Sequence, residues 1–292
     1  MSRLRGRFVA GVNWIFSVLV VASASMVACP VRAQALLPYA LQVDGKGLEQ
    51  QGMALFQDAL QLVQLGQYDL ALPRAELAVQ LAPEAHETWF VLGTLYVQNK
   101  QLDKGIEMLL KARAIAPQEP GIFFTLGSAY FQKGDYNTAI QEIEKGLTIE
   151  PKSVEALFDL GNSFLRLTRY PDSIAAYDRA IALDKKFWPA INNIGLVHYE
   201  QGDTASALQH WRDAVALDPE AAEPQLAIAV ALFAQGQTTE ALRLGEAALS
   251  IDRKYAEVPF LKENLWGDRL IADTQKFLAM PQIQAFLARF QQ

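Results

Sequence analysis

The feature that most constrains this chain is a beat of 34 residues. Pro83, Pro117, Pro151 and Pro219 stand 34, 34 and 68 residues apart, and Lys185 occupies the missing beat. Each is preceded by a short apolar phrase, such as Leu81-Ala82, Ile115-Ala116, Ile149-Glu150, Leu183-Asp184 and Leu217-Asp218; Ile251-Asp252-Arg253 extends the series. A fixed period of this length means stacked supersecondary units, each too small to bury its own apolar face alone. The frame gives six repeats at 52–85, 86–119, 120–153, 154–187, 188–221 and 222–255.

Within the frame the same chemistry recurs. Leu92-Gly93, Leu126-Gly127, Leu160-Gly161 and Ile194-Gly195 fill one place, followed by Tyr96, Tyr130 and Phe164. Two later columns hold small residues: Ala71, Gly105, Ala139, Ser173, Ala207 and Ala241, then Ala78, Ala112, Gly146, Ala180, Ala214 and Ala248. Apolar spacing of three and four in each half predicts two amphipathic helices per repeat, and the small columns allow close approach. Gly66, Gly134, Gly202 and Gly236 mark the turns between them. Asp135 and Asp203 are suited to cap second helices, and Pro171 to the opening of one, where its missing N–H costs nothing.

These residues resemble the tetratricopeptide repeat family. Trp89, Leu92-Gly93, Tyr96, Ala112 and Pro117 occupy the family places, as do Phe123, Leu126-Gly127, Tyr130, Ala139 and Pro151. The first and sixth repeats depart, with Ala59 and Ala229 where glycine is usual. The resemblance implies an all-α, right-handed superhelical solenoid with a concave groove, closed by a C-terminal capping segment. It also implies a peptide- or protein-binding scaffold rather than an enzyme.

In such repeats the first helix of each pair lines the groove. That places Phe56, Phe90, Phe124, Phe158, Asn192 and Leu226 in one column, and Val63, Val97, Phe131, Leu165, Tyr199 and Phe233 in a second. Leu60, Thr94, Ser128, Asn162, Leu196 and Val230 run between, and Gln64, Gln98, Gln132, Arg166 and Glu200 form a polar edge. The partner-binding expectation rests on Phe56, Phe90, Val97, Phe124, Phe131, Phe158, Asn162, Leu165, Asn192 and Tyr199: an aromatic strip for an apolar segment, or ordinary core if it is closed. The subgroup that clamps chaperone-tail carboxylates needs lysine where this chain has phenylalanine, so that mode is disfavoured.

Charge and targeting narrow the setting. Arg3, Arg5, Arg7 and Arg32 are the charged residues of the first 35, and the remainder carries 22 bases against 32 acids, net −10. Such a body is repelled by nucleic acid. Phe8 to Ala28 is an uncharged run of 21 residues, which as a helix spans roughly 31 Å. Ala33-Gln34-Ala35 is a small-x-small cleavage site. A cleaved signal, an uncleaved anchor and a lipid on Cys29 are all open; Pro30 argues against the last. Each places the body across or at a membrane, in a periplasm or thylakoid lumen if cleaved. The expected organisation is 1–35 signal or anchor, 36–51 a lead-in with Gly45-Lys46-Gly47 flexible, 52–255 repeats and 256–292 a helical cap.

The cap is expected as one amphipathic segment through Phe260, Leu261, Leu265, Trp266, Leu270 and Ile271. A short helix through Ile283, Phe286, Leu287 and Phe290 follows. Catalytic signals are weak. His86 suits a surface, His198 takes a core place, and His210 has no ligand partner at helical spacing. Glu142, Glu144 and Asp159 look like solvated faces. No phosphate loop and no cofactor site is readable. The expected role is an adaptor that assists assembly of a membrane-associated complex, on architectural likeness a thylakoid one. A structural subunit of an envelope or secretion machine is the alternative.

Overall fold

The computed structural model describes residues 44–289. The proposed export segment and Phe290 lie outside the described residues. Six antiparallel helix pairs follow one another: α1 (Gly45–Gln64) with α2 (Tyr68–Leu81), α3 (His86–Gln98) with α4 (Leu102–Ile115), and α5 (Pro120–Lys133) with α6 (Tyr136–Ile149). Then come α7 (Val154–Arg166) with α8 (Tyr170–Leu183), α9 (Trp188–Glu200) with α10 (Thr204–Leu217), and α11 (Ala222–Ala234) with α12 (Thr238–Ile251). A 3-10 turn, η1 (Arg253–Ala256), leads into α13 (Val258–Glu263), α14 (Asp268–Leu278) and α15 (Pro281–Ala288). This is the all-α array of paired helix-turn-helix repeats that the period predicts.

Local chemistry sets the ends of the helices. Asp135 accepts from the Thr138 N–H and Asp203 from the Ser206 N–H, while Ser153 caps α7 through the Ala156 N–H. Both aspartates are held below the usual carboxylate range by these bonds, from hydroxyl and N–H of Thr138 and Ser206. Pro120 and Pro171 sit in the first turns of α5 and α8. Gly45-Lys46-Gly47 does not form a flexible lead-in: it is the first turn of α1, which starts seven residues before the repeat frame. With Gly at both ends of that turn, helix propensity is poor, and the continuation of the same helix through Met53–Leu62 carries it.

Every turn between paired helices needs one left-handed residue. Four are glycines, Gly66, Gly134, Gly202 and Gly236, with φ from 70° to 89°. The same place in the second and fourth repeats holds Lys100 (φ 60°) and Thr168 (φ 55°), where a Cβ crowds the backbone.

Packing inside a pair depends on a matched set of sizes. A Cβ added at Gly93, Gly127, Gly161 or Gly195 would stand under 3.0 Å from Leu109, Ile143, Tyr177 or Trp211 respectively. The absent side chain on the first helix is thus replaced by a large one from the second. In the end repeats neither side carries bulk. Ala59 and Ala229 are fully buried, and the facing residues are small, Ala75 and Gly245. The departure of these repeats from the family glycine is therefore a compensated change of shape. The two small columns are buried throughout, and Ser173 stays satisfied by donating its hydroxyl to the Gly161 carbonyl at 2.8 Å.

Neighbouring pairs join through the second helix of one and the first of the next, and α1, α3, α5 and α7 also pack on one another in turn. No comparably close packing recurs among the second helices, so the first helices form the inner face. Two outcomes check this account. Gly161→Ala should lose roughly 1–3 kcal/mol in urea unfolding, since Tyr177 is fully buried and cannot give way. Thr168→Gly should instead gain about 0.5–1 kcal/mol, by relieving the left-handed β-branched residue.

Candidate functional site

The inner face divides into an open stretch and a covered one. In the open stretch Phe90, Phe124, Phe131 and Phe158 are half-buried, while Phe56 and Val97 are buried, Val97 over Gly105 of its own pair. The four rings are not equivalent. Phe124 fills the space above Gly146, where no Cβ could fit beside its ring, so it serves the core as well as the face. Phe158 packs against Tyr177 and Phe187 with ring centroids 5.7 and 5.3 Å away. Phe131 leans on Tyr136 at 5.2 Å and fills no glycine notch of this kind. Gln64, Gln98 and Gln132 are exposed along the edge, and Lys100 donates to Gln132 across one repeat.

The fourth and fifth repeats are joined by a buried polar knot. Tyr177 donates its hydroxyl to Asn162 Oδ1 at 2.7 Å, Asn193 donates to the same oxygen at 2.9 Å, and Asn192 donates to Asn193 Oδ1 at 3.0 Å. Burial raises the Tyr177 hydroxyl well above its ordinary value. Asn192 is 1% exposed, and its Oδ1 has no hydrogen-bond partner.

Beyond this knot the inner face is occupied by the chain's own tail. The tail does cover the last pair, through η1 and α15 against α12, but α14 packs against α9 and α11 on the inner face. Nor is it the single segment that its apolar spacing predicts. The helix breaks at Asn264–Gly267, with Leu265 in the left-handed region at φ 67°. With the break, Leu261 is buried from α13, Trp266 from the break itself, and Leu270 and Ile271 from α14.

Polar contacts from distant repeats hold the tail. Arg166 donates to the Lys262 carbonyl at 2.7 Å. Gly267 offers no capping side chain to α14, and Glu200 caps it instead, accepting from the N–H groups of Arg269 and Leu270 at 3.2 and 3.0 Å. Arg269 lies over the Tyr199 ring at 4.7 Å and donates to the Tyr199 carbonyl, while Tyr199 donates its hydroxyl to Asp273 at 2.8 Å. Trp266 donates its indole N–H to Glu223 at 2.9 Å. Of the expected groove residues, then, Tyr199 is roofed over, and Leu165 lines a cavity of about 260 Å³ that Leu265–Asp268 border. A second cavity of about 190 Å³ lies where the open stretch meets the tail, with Asn162 and Asn192 in its lining.

Sequence reasoning missed Glu223, Trp266, Arg269 and Asp273 as members of this region. Glu223 is 9% exposed; burial pushes its carboxyl up to about 7, against hydrogen bonds from Trp266, Asn192 and Tyr255 that pull it down. Asp159 and Glu142 are likewise not the solvated groups expected. Burial beside Glu155 pushes Asp159 up to about 6, and Glu142 is buried between Arg113 and Lys145 at 2.9 and 2.8 Å. Neighbouring helices supply cover that a single helix face does not reveal. His198 stacks on His210 at 5.1 Å, and His86 pairs with Glu87. Among the described residues no cluster of three or more metal-ligating side chains occurs.

Comparison with known proteins agrees with this architecture. Tetratricopeptide repeat models match residues 62–122, 124–186 and 192–256. No curated protein matches. Among solved structures, MamA is 25% identical, with a TM-score of 0.50 over 57% of this chain and 97% of its own. YrrB, a TPR protein described as having an unusual peptide-binding site, is 18% identical, with a TM-score of 0.50 over 60% of this chain and 91% of its own. A thermophilic TPR protein of Thermus thermophilus, TTC0263, is 20% identical, with a TM-score of 0.51 over 62% of this chain and 99% of its own. The last two likenesses establish the fold alone.

The Glu223 environment predicts a pH dependence. Its folded value of about 7 lies above the ordinary 4.5, so the folded state holds the proton longer than the unfolded chain. Its contribution is fully present below pH 4.5 and is lost as pH rises toward 7. Glu223→Gln, neutral at every pH, should escape that loss. Relative to wild type it should gain roughly 2–3 kcal/mol between pH 5 and pH 8 in urea unfolding. A difference that stays flat with pH would mean that the carboxyl is solvated.

Proposed function

The chain belongs to the tetratricopeptide repeat family, and we propose that it is a non-enzymatic scaffold that holds a protein or peptide along the first helices of its N-terminal repeats. The observation that carries this reading is the partly exposed aromatic strip of Phe90, Phe124, Phe131 and Phe158, on a face whose other half is filled by the chain's own α14. A face that already accepts one amphipathic helix of this chain has the relief and chemistry to accept a second segment beside it. Each apolar side chain buried there contributes up to about 1.5–3 kcal/mol. The peptide-binding site described for YrrB is consistent with this use of the fold.

We also propose that the scaffold works outside the cytoplasm or at a membrane, assisting assembly of a membrane-associated complex. Support comes from Arg3, Arg5 and Arg7, the uncharged run and Ala33-Gln34-Ala35. Among the described residues no helix is long and apolar enough to cross a membrane, so in this reading any anchor is the segment before residue 36. Sequencing the N-terminus of the mature protein tests it: a start at Leu36 supports export with cleavage, and a body protected with cytosolic markers in protease accessibility contradicts export.

The binding reading is tested at Phe131. A photo-crosslinker at that position identifies the partner. Phe131→Ala should then weaken its binding at least tenfold, about 1.4 kcal/mol, with a small shift of the urea midpoint. Phe124→Ala should show the opposite balance, losing roughly 3–5 kcal/mol of stability because it empties the space above Gly146. Unchanged affinity in a folded Phe131→Ala variant would remove the strip as the binding surface.

A further inference from the structure

The cavity of about 190 Å³ at the end of the open stretch has a chemistry of its own. Its walls include three aromatic rings, Phe131, Phe158 and Trp188, and its charged lining residues are both acids, Glu223 and Glu263. No lysine, arginine or histidine lines it. The Glu223 carboxylate receives only neutral donors, the Trp266 indole at 2.9 Å, the Tyr255 hydroxyl at 3.5 Å and the Asn192 amide. Asn192, also in the lining and 1% exposed, leaves its Oδ1 acceptor without a donor. A buried acceptor left unmade costs about 1–3 kcal/mol, and a buried carboxylate without a cation is costlier still.

We propose that this cavity receives a cationic side chain, the ammonium of a lysine or the guanidinium of an arginine, carried by the segment that binds along the aromatic strip. The inference rests on the scaffold reading and adds the charge of the partner to it. Each wall favours a cation over the alternatives. Acids repel an anion, and an apolar group would leave the Glu223 charge without a counter-charge and Asn192 Oδ1 without a donor. A cation supplies the missing N–H donor and the missing charge, and the aromatic faces attract it further. At about 190 Å³ the cavity is well above the roughly 10–15 Å³ that holds a single water, leaving room for the end of a long basic side chain. Phe131 belongs to both the strip and the cavity wall, so a segment lying on the strip reaches the cavity directly. The acidic body, net −10 outside the first 35 residues, draws the same kind of partner at longer range.

The test needs no identified partner. The full chain is titrated with Nα-acetyl-lysine N-methylamide and with its norleucine counterpart, which keeps the carbon chain and lacks the ammonium. Binding is followed by NMR at the Trp188 indole and the Asn192 amide. The lysine compound should bind in the millimolar range and the norleucine compound at least tenfold more weakly. Glu223→Gln should weaken the lysine compound at least tenfold while its near-UV circular dichroism stays native. Should that variant fail to fold, Glu263→Gln on the exposed rim should still weaken it about threefold. Equal binding of the two compounds, no binding of either, or full binding in the folded variant overturns the proposal. Any of these leaves the strip to be judged separately, by the Phe131→Ala affinity.

Discussion

The array depends on one contact repeated six times, the crossing of the two helices within a pair. At that crossing only one helix can carry bulk. In the four central repeats the first helix yields, with Gly93, Gly127, Gly161 and Gly195, and Leu109, Ile143, Tyr177 and Trp211 fill the gap. In the end repeats both sides are small, and the two solutions differ. Ala59 and Ala75 are both buried in one apolar cluster, whereas Gly245 leaves a notch that Phe277 of α14 enters, since a Cβ there would collide with its ring. The tail is thus fitted into the last repeat by the same rule of complementary size that builds each pair.

That rule links core and function. Tyr177 and Trp211 reach across the crossing far enough for their polar ends to act beyond it. Tyr177 anchors the asparagine knot through Asn162, and Trp211 donates its indole N–H to the Asn192 carbonyl at 3.1 Å. The asparagines on the inner face are therefore positioned from behind by residues chosen for packing. The orphaned Oδ1 of Asn192 sits in an otherwise well-satisfied network.

Much of this was legible in the sequence because it is local and periodic. The proline beat recurs at a fixed period, and the glycine turns and the caps at Asp135 and Asp203 concern residues within a few positions of one another. The tail was not legible, because its contacts join residues far apart: Arg166 to Lys262, Tyr199 to Asp273, Glu223 to Trp266. No period announces such pairs. Glu223 stands in a stretch, Pro219-Glu220-Ala221-Ala222-Glu223, where a surface acid looks ordinary, and only the arrival of Trp266 and Tyr255 makes it a buried one. The partly exposed rings were legible as two columns but not as individuals: that Phe124 plugs a notch and Phe131 does not depends on Gly146 from the facing helix.

A stack in which each unit touches only its neighbours behaves as a spring, because small rotations at successive joints add up. The tail changes the mechanics of one half of it. By bonding to Arg166 on α7 and Tyr199 on α9 while packing on α11, it braces three successive coils and removes their freedom to twist independently. The first three coils have no such brace among the described residues. Among the described repeats, the last three are therefore tied to one another by a strut that skips along the stack, and the first three are joined only through their neighbours.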